Sequence, residues 1–78
     1  MNKVTIIGSG RVGSTIAYSL TCRGLAQEIV IIDIAADRAM GEAQDIRQGL
    51  SYDSSCIVYA GNYEDAKGSD IVIITSGI

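Results

Sequence analysis

An α/β fold built on a doubly wound parallel sheet, in strand order 3-2-1-4 and truncated after the fourth strand, follows from two observations and the handedness of chain crossovers. Apolar runs alternate along the chain with segments of helical period. Two of those runs, Ile29-Val30-Ile31-Ile32 and Ile71-Val72-Ile73-Ile74, are apolar at consecutive positions. Consecutive apolar positions belong to strands buried on both faces, hence to a parallel sheet covered by helices. Right-handed crossovers then set strands one, two and three side by side with both helices on one face, and the doubly wound order returns strand four to the far side of strand one.

Each element has its own signal. Lys3-Val4-Thr5-Ile6-Ile7 is a short β-branched run that stops at Gly8. Over residues 10–23 the period changes, and Val12, Ile16, Ala17 and Leu20 recur at the spacing of one helix face, closed by Gly24. Residues 28–33 form strand two. Asp37 stands where the N-cap of a second helix belongs, and Ala39, Met40, Ala43, Ile46 and Leu50 make its apolar face, with Met40 expected in the core and Gly49 ending the helix. Strand three falls within residues 54–60, after the turn-like Tyr52-Asp53-Ser54-Ser55. Residues 62–68 have room for a turn or two of helix. Residues 70–75 are strand four. The segment 61–69 is too short to cover much of the sheet face opposite the helices.

Composition narrows the function. The 78 residues carry six Lys plus Arg against nine Asp plus Glu, a net charge of −3, with 47 % apolar residues and a mean hydropathy of +0.27. This is one unit, too short for two domains. Basic residues are scattered, so no patch exists to neutralise nucleic-acid or anionic-lipid phosphates. The apolar runs fall far short of the roughly 18 residues of a membrane span, and no basic segment or cleavage site precedes the first strand. Cys22 and Cys56 lack metal-ligand spacing and the chain has no His, so both are expected as reduced core thiols of a cytoplasmic protein that holds no metal.

Gly8-Ser9-Gly10-Arg11-Val12-Gly13 matches G-x-G-x-x-G. The spacing alone is weak evidence. Its place is strong evidence, because it begins where a strand ends and opens a helix at the head of a βαβ unit. Gly8 permits the sharp turn, Gly10 lets the backbone approach a pyrophosphate, and Gly13 lets the helix pack close to the sheet. The helix N-terminus supplies unpaired N–H groups and about half a positive charge for the anion. Asp33 ends strand two, twenty residues beyond Gly13. In a Rossmann-type dinucleotide fold that carboxylate accepts from the ribose hydroxyls and repels a 2′-phosphate, selecting NAD over NADP. On the residues alone, Asp33 also reads as a cap for the second helix, and Arg11 and Arg38 read equally as solvated cations.

The segments Ile6-Ile7-Gly8-Ser9-Gly10-Arg11-Val12-Gly13, Ile32-Asp33-Ile34, Gly41-Glu42-Ala43-Gln44-Asp45-Ile46 and Ile73-Ile74-Thr75-Ser76-Gly77 resemble, in order and spacing, the N-terminal quarter of the lactate/malate dehydrogenase family. Gly49-Leu50-Ser51-Tyr52-Asp53-Ser54 is most similar to the lactate-dehydrogenase-like malate dehydrogenases, archaeal ones included, so the resemblance favours malate over lactate. It implies NAD contacts from Gly8, Ser9, Gly10, Arg11, Val12 and Gly13 in the turn. It places Asp33, Ile34 and Arg38 along the adenosine, and Tyr63 against the adenine, the alternative for Tyr63 being an amphipathic side chain that seals the sheet edge. Thr75, Ser76, Gly77 and Ile78 would line the route to the nicotinamide ribose. Asp45, by the same resemblance, is an acid of the catalytic cleft; on composition alone it is a solvated helix residue.

Hydride transfer on a 2-hydroxy acid needs an acid/base, usually His, and Arg side chains to clamp the carboxylate. The chain has no His. The resemblance therefore implies that residues 1–78 are the cofactor-binding beginning of a homo-oligomeric dehydrogenase. Its catalytic residues and its small 2-hydroxy/2-oxo acid substrate would belong to a longer chain. A stand-alone dinucleotide-binding module, or the start of another Rossmann oxidoreductase, are the alternatives.

Overall fold

A computed structural model describes residues 2–8, 10–49 and 56–75, without the side chain of Cys22. Four strands, β1 (Lys3–Ile7), β2 (Glu28–Ile32), β3 (Ile57–Ala60) and β4 (Ile71–Ile74), alternate with helices α1 (Arg11–Cys22) and α2 (Ala36–Gln48), and a short 3₁₀ turn covers Tyr63–Ala66. All strand pairs are parallel and the order is β3-β2-β1-β4, as the apolar runs require.

The register divides the sheet residues between two faces. Val4, Ile6, Ile29, Ile31 and Val58 point to one side and pack with Ala17 of α1 and Ala39, Ala43 and Ile46 of α2. Small alanines let the helices lie close to the branched side chains of the strands. Thr5 and Val30 point the other way and are fully buried as well. Residues 61–69 are responsible. The Thr5 and Ser69 hydroxyls share a hydrogen bond, and a Cβ on Gly61 would sit 2.9 Å from Val30. That short segment covers the middle of the second face, which corrects the expectation that it would cover little.

Further along that face lies a polar strip. Tyr59 donates to Glu28 Oε2, and Lys3 Nζ stands 3.9 Å from the same oxygen. Burial, followed by the hydrogen bond and the charge of Glu28, pushes the Tyr59 hydroxyl up to about 12. β4 is the most exposed strand. Ile71, Val72 and Ile74 are 56 %, 48 % and 69 % exposed, and among the described residues β1 alone pairs with it.

Several helix details differ from the sequence pattern. Val12 and Met40 are exposed, Met40 by 53 %. Ala39, Ala43 and Ile46 already fill the stripe that faces the sheet, and Met40 stands about 100° around the helix from Ala39. Asp37 lies inside the first turn of α2, and the N-cap is Ala35. The entry to that helix is fixed earlier, because Asp33 Oδ1 accepts from the Ala35 N–H at 2.8 Å. α1 ends as expected: Gly24 has φ +66°, and Leu25 N–H reaches back to Leu20 O at 3.0 Å. Gly49 closes α2 with an ordinary φ of −87°. Leu50, expected on the face of α2, and the turn at 52–55 lie outside the described residues. Cys56 is half-buried against the core, and burial raises its thiol pKa. Among the described residues no helix is long and apolar enough to cross a membrane.

Candidate dinucleotide-binding site

The three motif glycines are required for different reasons. Gly8 follows β1 at φ +101°, a conformation that side-chain-bearing residues rarely adopt. Its N–H donates to Ile32 O at 2.7 Å, tying the turn to the end of β2. Gly13 is a packing glycine, since a Cβ there would lie 2.2 Å from Gly8 O and 3.0 Å from Thr75 Oγ1. Gly10 has neither constraint. It is the N-cap of α1 at φ −61°, ψ −174°, and a Cβ on it would meet nothing within 4 Å among the described residues. Gly10 brings no capping side chain to the helix, and the first turn of α1 holds no acid. The positive end of the helix is therefore neither capped nor neutralised from within α1.

Beside this turn, Ile7, Gly8, Asp33, Ile34 and Tyr63 line a cleft of about 80 Å³. β1 and β2 bring Gly8 and Asp33 together because their C-terminal ends are in register, with Ile7 opposite Ile32. Asp33 is half-buried, while Ile34 and Tyr63 are exposed at the rim. Tyr63 is presented by the 3₁₀ turn, whose start is locked reciprocally. Asn62 Oδ1 accepts from Glu64 N–H at 3.1 Å, and Asp65 Oδ2 accepts from Asn62 N–H at 2.8 Å.

The structure thus gathers Gly8, Asp33, Ile34 and Tyr63 in one cleft, with Gly10 and Gly13 on the adjoining turn. Thr75 reaches the turn from β4. Arg11 and Val12 are exposed on the first turn of α1, and Arg38 is exposed on the first turn of α2, outside the cleft lining. Asp45 lies with Ser14, Thr15, Tyr18, Glu42 and Ile46 around a separate groove of about 290 Å³ between the helices. Ser9, Ser76, Gly77 and Ile78 lie outside the described residues. Two features escaped the sequence pattern: Ile7 in the cleft wall, and the hydrogen bond from Ser14 Oγ to Glu42 Oε2. Glu42 belongs to the Gly-Glu-Ala segment that carried the resemblance, which was the one available signal.

The family of the lactate/malate dehydrogenase NAD-binding domain matches residues 2–78. This chain belongs to the lactate/malate dehydrogenase family. Over 77 residues, 99 % of the chain, it is 54 % identical to L-lactate dehydrogenase of Thermoanaerobacter pseudethanolicus, covering 25 % of that protein. It is 53 % identical to L-lactate dehydrogenase of Clostridium perfringens, covering 24 %. Among solved structures, the minor L-lactate dehydrogenase of Enterococcus mundtii superposes with a TM-score of 0.92 at 38 % identity, over 99 % of this chain and 25 % of that one. Malate dehydrogenase of Cryptosporidium parvum gives 0.91 at 35 % identity, with the same coverage. The chain spans about a quarter of the length of the curated relatives it matches. As an NAD-binding domain of this family, it takes NAD as its cofactor.

Proposed function

We propose that this chain is the part of an L-lactate-type dehydrogenase that holds the adenosine and pyrophosphate of NAD. Gly10 carries this reading. Gly8 is explained by its backbone angle and Gly13 by its packing, but no contact among the described residues requires a glycine at Gly10. A ligand that must approach the backbone there does require one. The first-turn N–H groups of α1 would receive the pyrophosphate, Asp33 the ribose hydroxyls, and Ile34 and Tyr63 the adenine. Arg11, Val12 and Arg38 would flank it, and Thr75 and the residues after it would run toward the nicotinamide ribose.

When bound, NAD supplies the hydride acceptor for oxidation of a 2-hydroxy acid. The relatives named above that match at 53–54 % identity are L-lactate dehydrogenases, so the preference for malate suggested by residues 49–54 finds no support in them and we favour lactate. With no His in its sequence, the chain provides no imidazole for proton transfer, and the 78 residues alone are expected to give no turnover of either acid.

The test is a titration of wild type and Asp33→Ser with NADH and NADPH. Charge-assisted bonds to the ribose are each worth about 1.5–3 kcal/mol, so wild type should prefer NADH by tenfold or more, and the variant should lose that preference. Equal affinities in wild type would overturn the assignment of Asp33.

A further inference from the structure

We infer that Thr75 is a positioning residue whose hydroxyl holds the Gly8 carbonyl and so sets the shape of the phosphate turn. This deepens the dinucleotide reading above and rests on it. Thr75 Oγ1 donates to Gly8 O at 2.9 Å, with a longer contact to Ile7 O at 3.3 Å. The hydroxyl has one proton, and these two carbonyls of the turn share it. Its position is not a free rotamer choice. The Thr75 N–H donates to Ile7 O at 2.9 Å, so the β1–β4 ladder continues past Ile74 and delivers Thr75 to the turn.

Gly8 needs such a hold. At φ +101° and without a Cβ, little local sterics fixes the peptide unit that leaves it. The structure grips it from two sides: β2 takes its N–H through Ile32 O, and β4 takes its carbonyl through Thr75. The same carbonyl lies under Gly13, where the helix meets the sheet, and Thr75 Oγ1 is 3.0 Å from where a Gly13 Cβ would stand. One hydroxyl therefore ties together the strand end, the turn and the helix that presents N–H groups to the pyrophosphate. Asp33 and Tyr63 do not depend on it, because their placement comes from β2 and from the Asn62–Asp65 lock.

The experiment uses the 78-residue chain, Thr75→Val and Thr75→Ser, with NAD⁺ and adenosine as probes, read by saturation-transfer NMR at low micromolar protein. Thr75→Val should weaken NAD⁺ about five- to tenfold, the size of one hydrogen bond, and leave adenosine within about twofold. Thr75→Ser should restore NAD⁺ binding. In the ligand-free chain, Thr75→Val should speed hydrogen exchange at the Gly8 amide while Val30 stays protected. Unchanged NAD⁺ binding, an equal loss for both probes, failure of serine to rescue, or unchanged Gly8 exchange would each overturn the role. The last would mean that Thr75 acts only by touching the ligand. If Thr75→Val does not fold, Thr75→Ala removes the hydroxyl without filling the space and is held to the same outcomes. A wild-type chain that binds neither probe overturns the dinucleotide reading itself, and the role of Thr75 with it.

Discussion

Ser14 Oγ donates to Glu42 Oε2 at 2.6 Å, joining α1 to α2 above the sheet. Both residues are half-buried, so water competes only partly for the carboxylate. Ser14→Ala should lower the unfolding free energy by about 1.5 kcal/mol, the low end of the range of about 1.5–3 kcal/mol for a hydrogen bond to a charged group because the pair is only half-buried. Glu42→Gln keeps an acceptor and should lose less. Urea denaturation of the three proteins measures both; equal stability of Ser14→Ala and wild type would refute the contribution.

The phosphate turn separates folding from binding. Gly13→Ala forces a methyl against Gly8 O and should destabilise the chain by about 1–3 kcal/mol. Gly10→Ala meets no described residue, so stability should fall by no more than about 1 kcal/mol, the cost of exchanging Gly for Ala at an N-cap, while NAD binding weakens. Thermal melts beside cofactor titrations read the two effects. A Gly10→Ala protein that binds NAD like wild type would remove the principal support for the pyrophosphate placement.

Tyr59 gives the chain an alkaline limit. Its folded pKa, about 12, lies above the ordinary tyrosine value of 10. The unfolded chain therefore loses this proton first as pH rises, so the contribution is whole below pH 10 and disappears between pH 10 and 12. Absorbance at the phenolate band should show a late step that belongs to Tyr59. Tyr59→Phe should remove both the late step and its share of the alkaline stability loss. A phenolate titration curve with the same late step in Tyr59→Phe and wild type would contradict it.

β4 should make the 78-residue chain associate. Its outer edge has no strand partner among the described residues, and Ile71, Val72 and Ile74 are about half or more exposed. At roughly 25 cal/mol per Å², covering those side chains is worth several kcal/mol, comparable with the stability of so small a domain. An apolar open edge is also a template for pairing. Sedimentation should show assembly as concentration rises through the micromolar range, and Val72→Lys should reduce it. A monodisperse wild-type monomer with protected β4 amides would show that the edge is harmless.

What the sequence made legible follows from how local each signal is. The Ile29–Ile32 run specified a doubly buried strand because four consecutive branched residues have no exposed face to offer. The glycine turn was legible because its positive φ and its helix contact each demand a residue without a side chain. Met40 was not, because its exposure depends on how far α2 is rotated against the sheet, which Ala39 and Ala43 decide. Asp37 was misplaced as N-cap because the competing contact, Asp33 to the Ala35 N–H, bends the chain two residues earlier. The cover over Thr5 and Val30 arises from a turn that folds back across strands distant in sequence. No pattern within residues 61–69 announced it.

The clasp between Gly8 and Thr75 spans 67 residues. During synthesis the turn is made well before the strand that completes its shape, which follows 67 residues later. Closing so long a loop has an entropic cost that must be met before the contact stabilises anything. The anion-binding turn is then the earliest part of the site to be made and the latest to be finished. Cofactor affinity becomes a reporter of this sheet's completed folding, and NAD, by binding only the closed form, holds β1 and β4 together at their C-terminal ends.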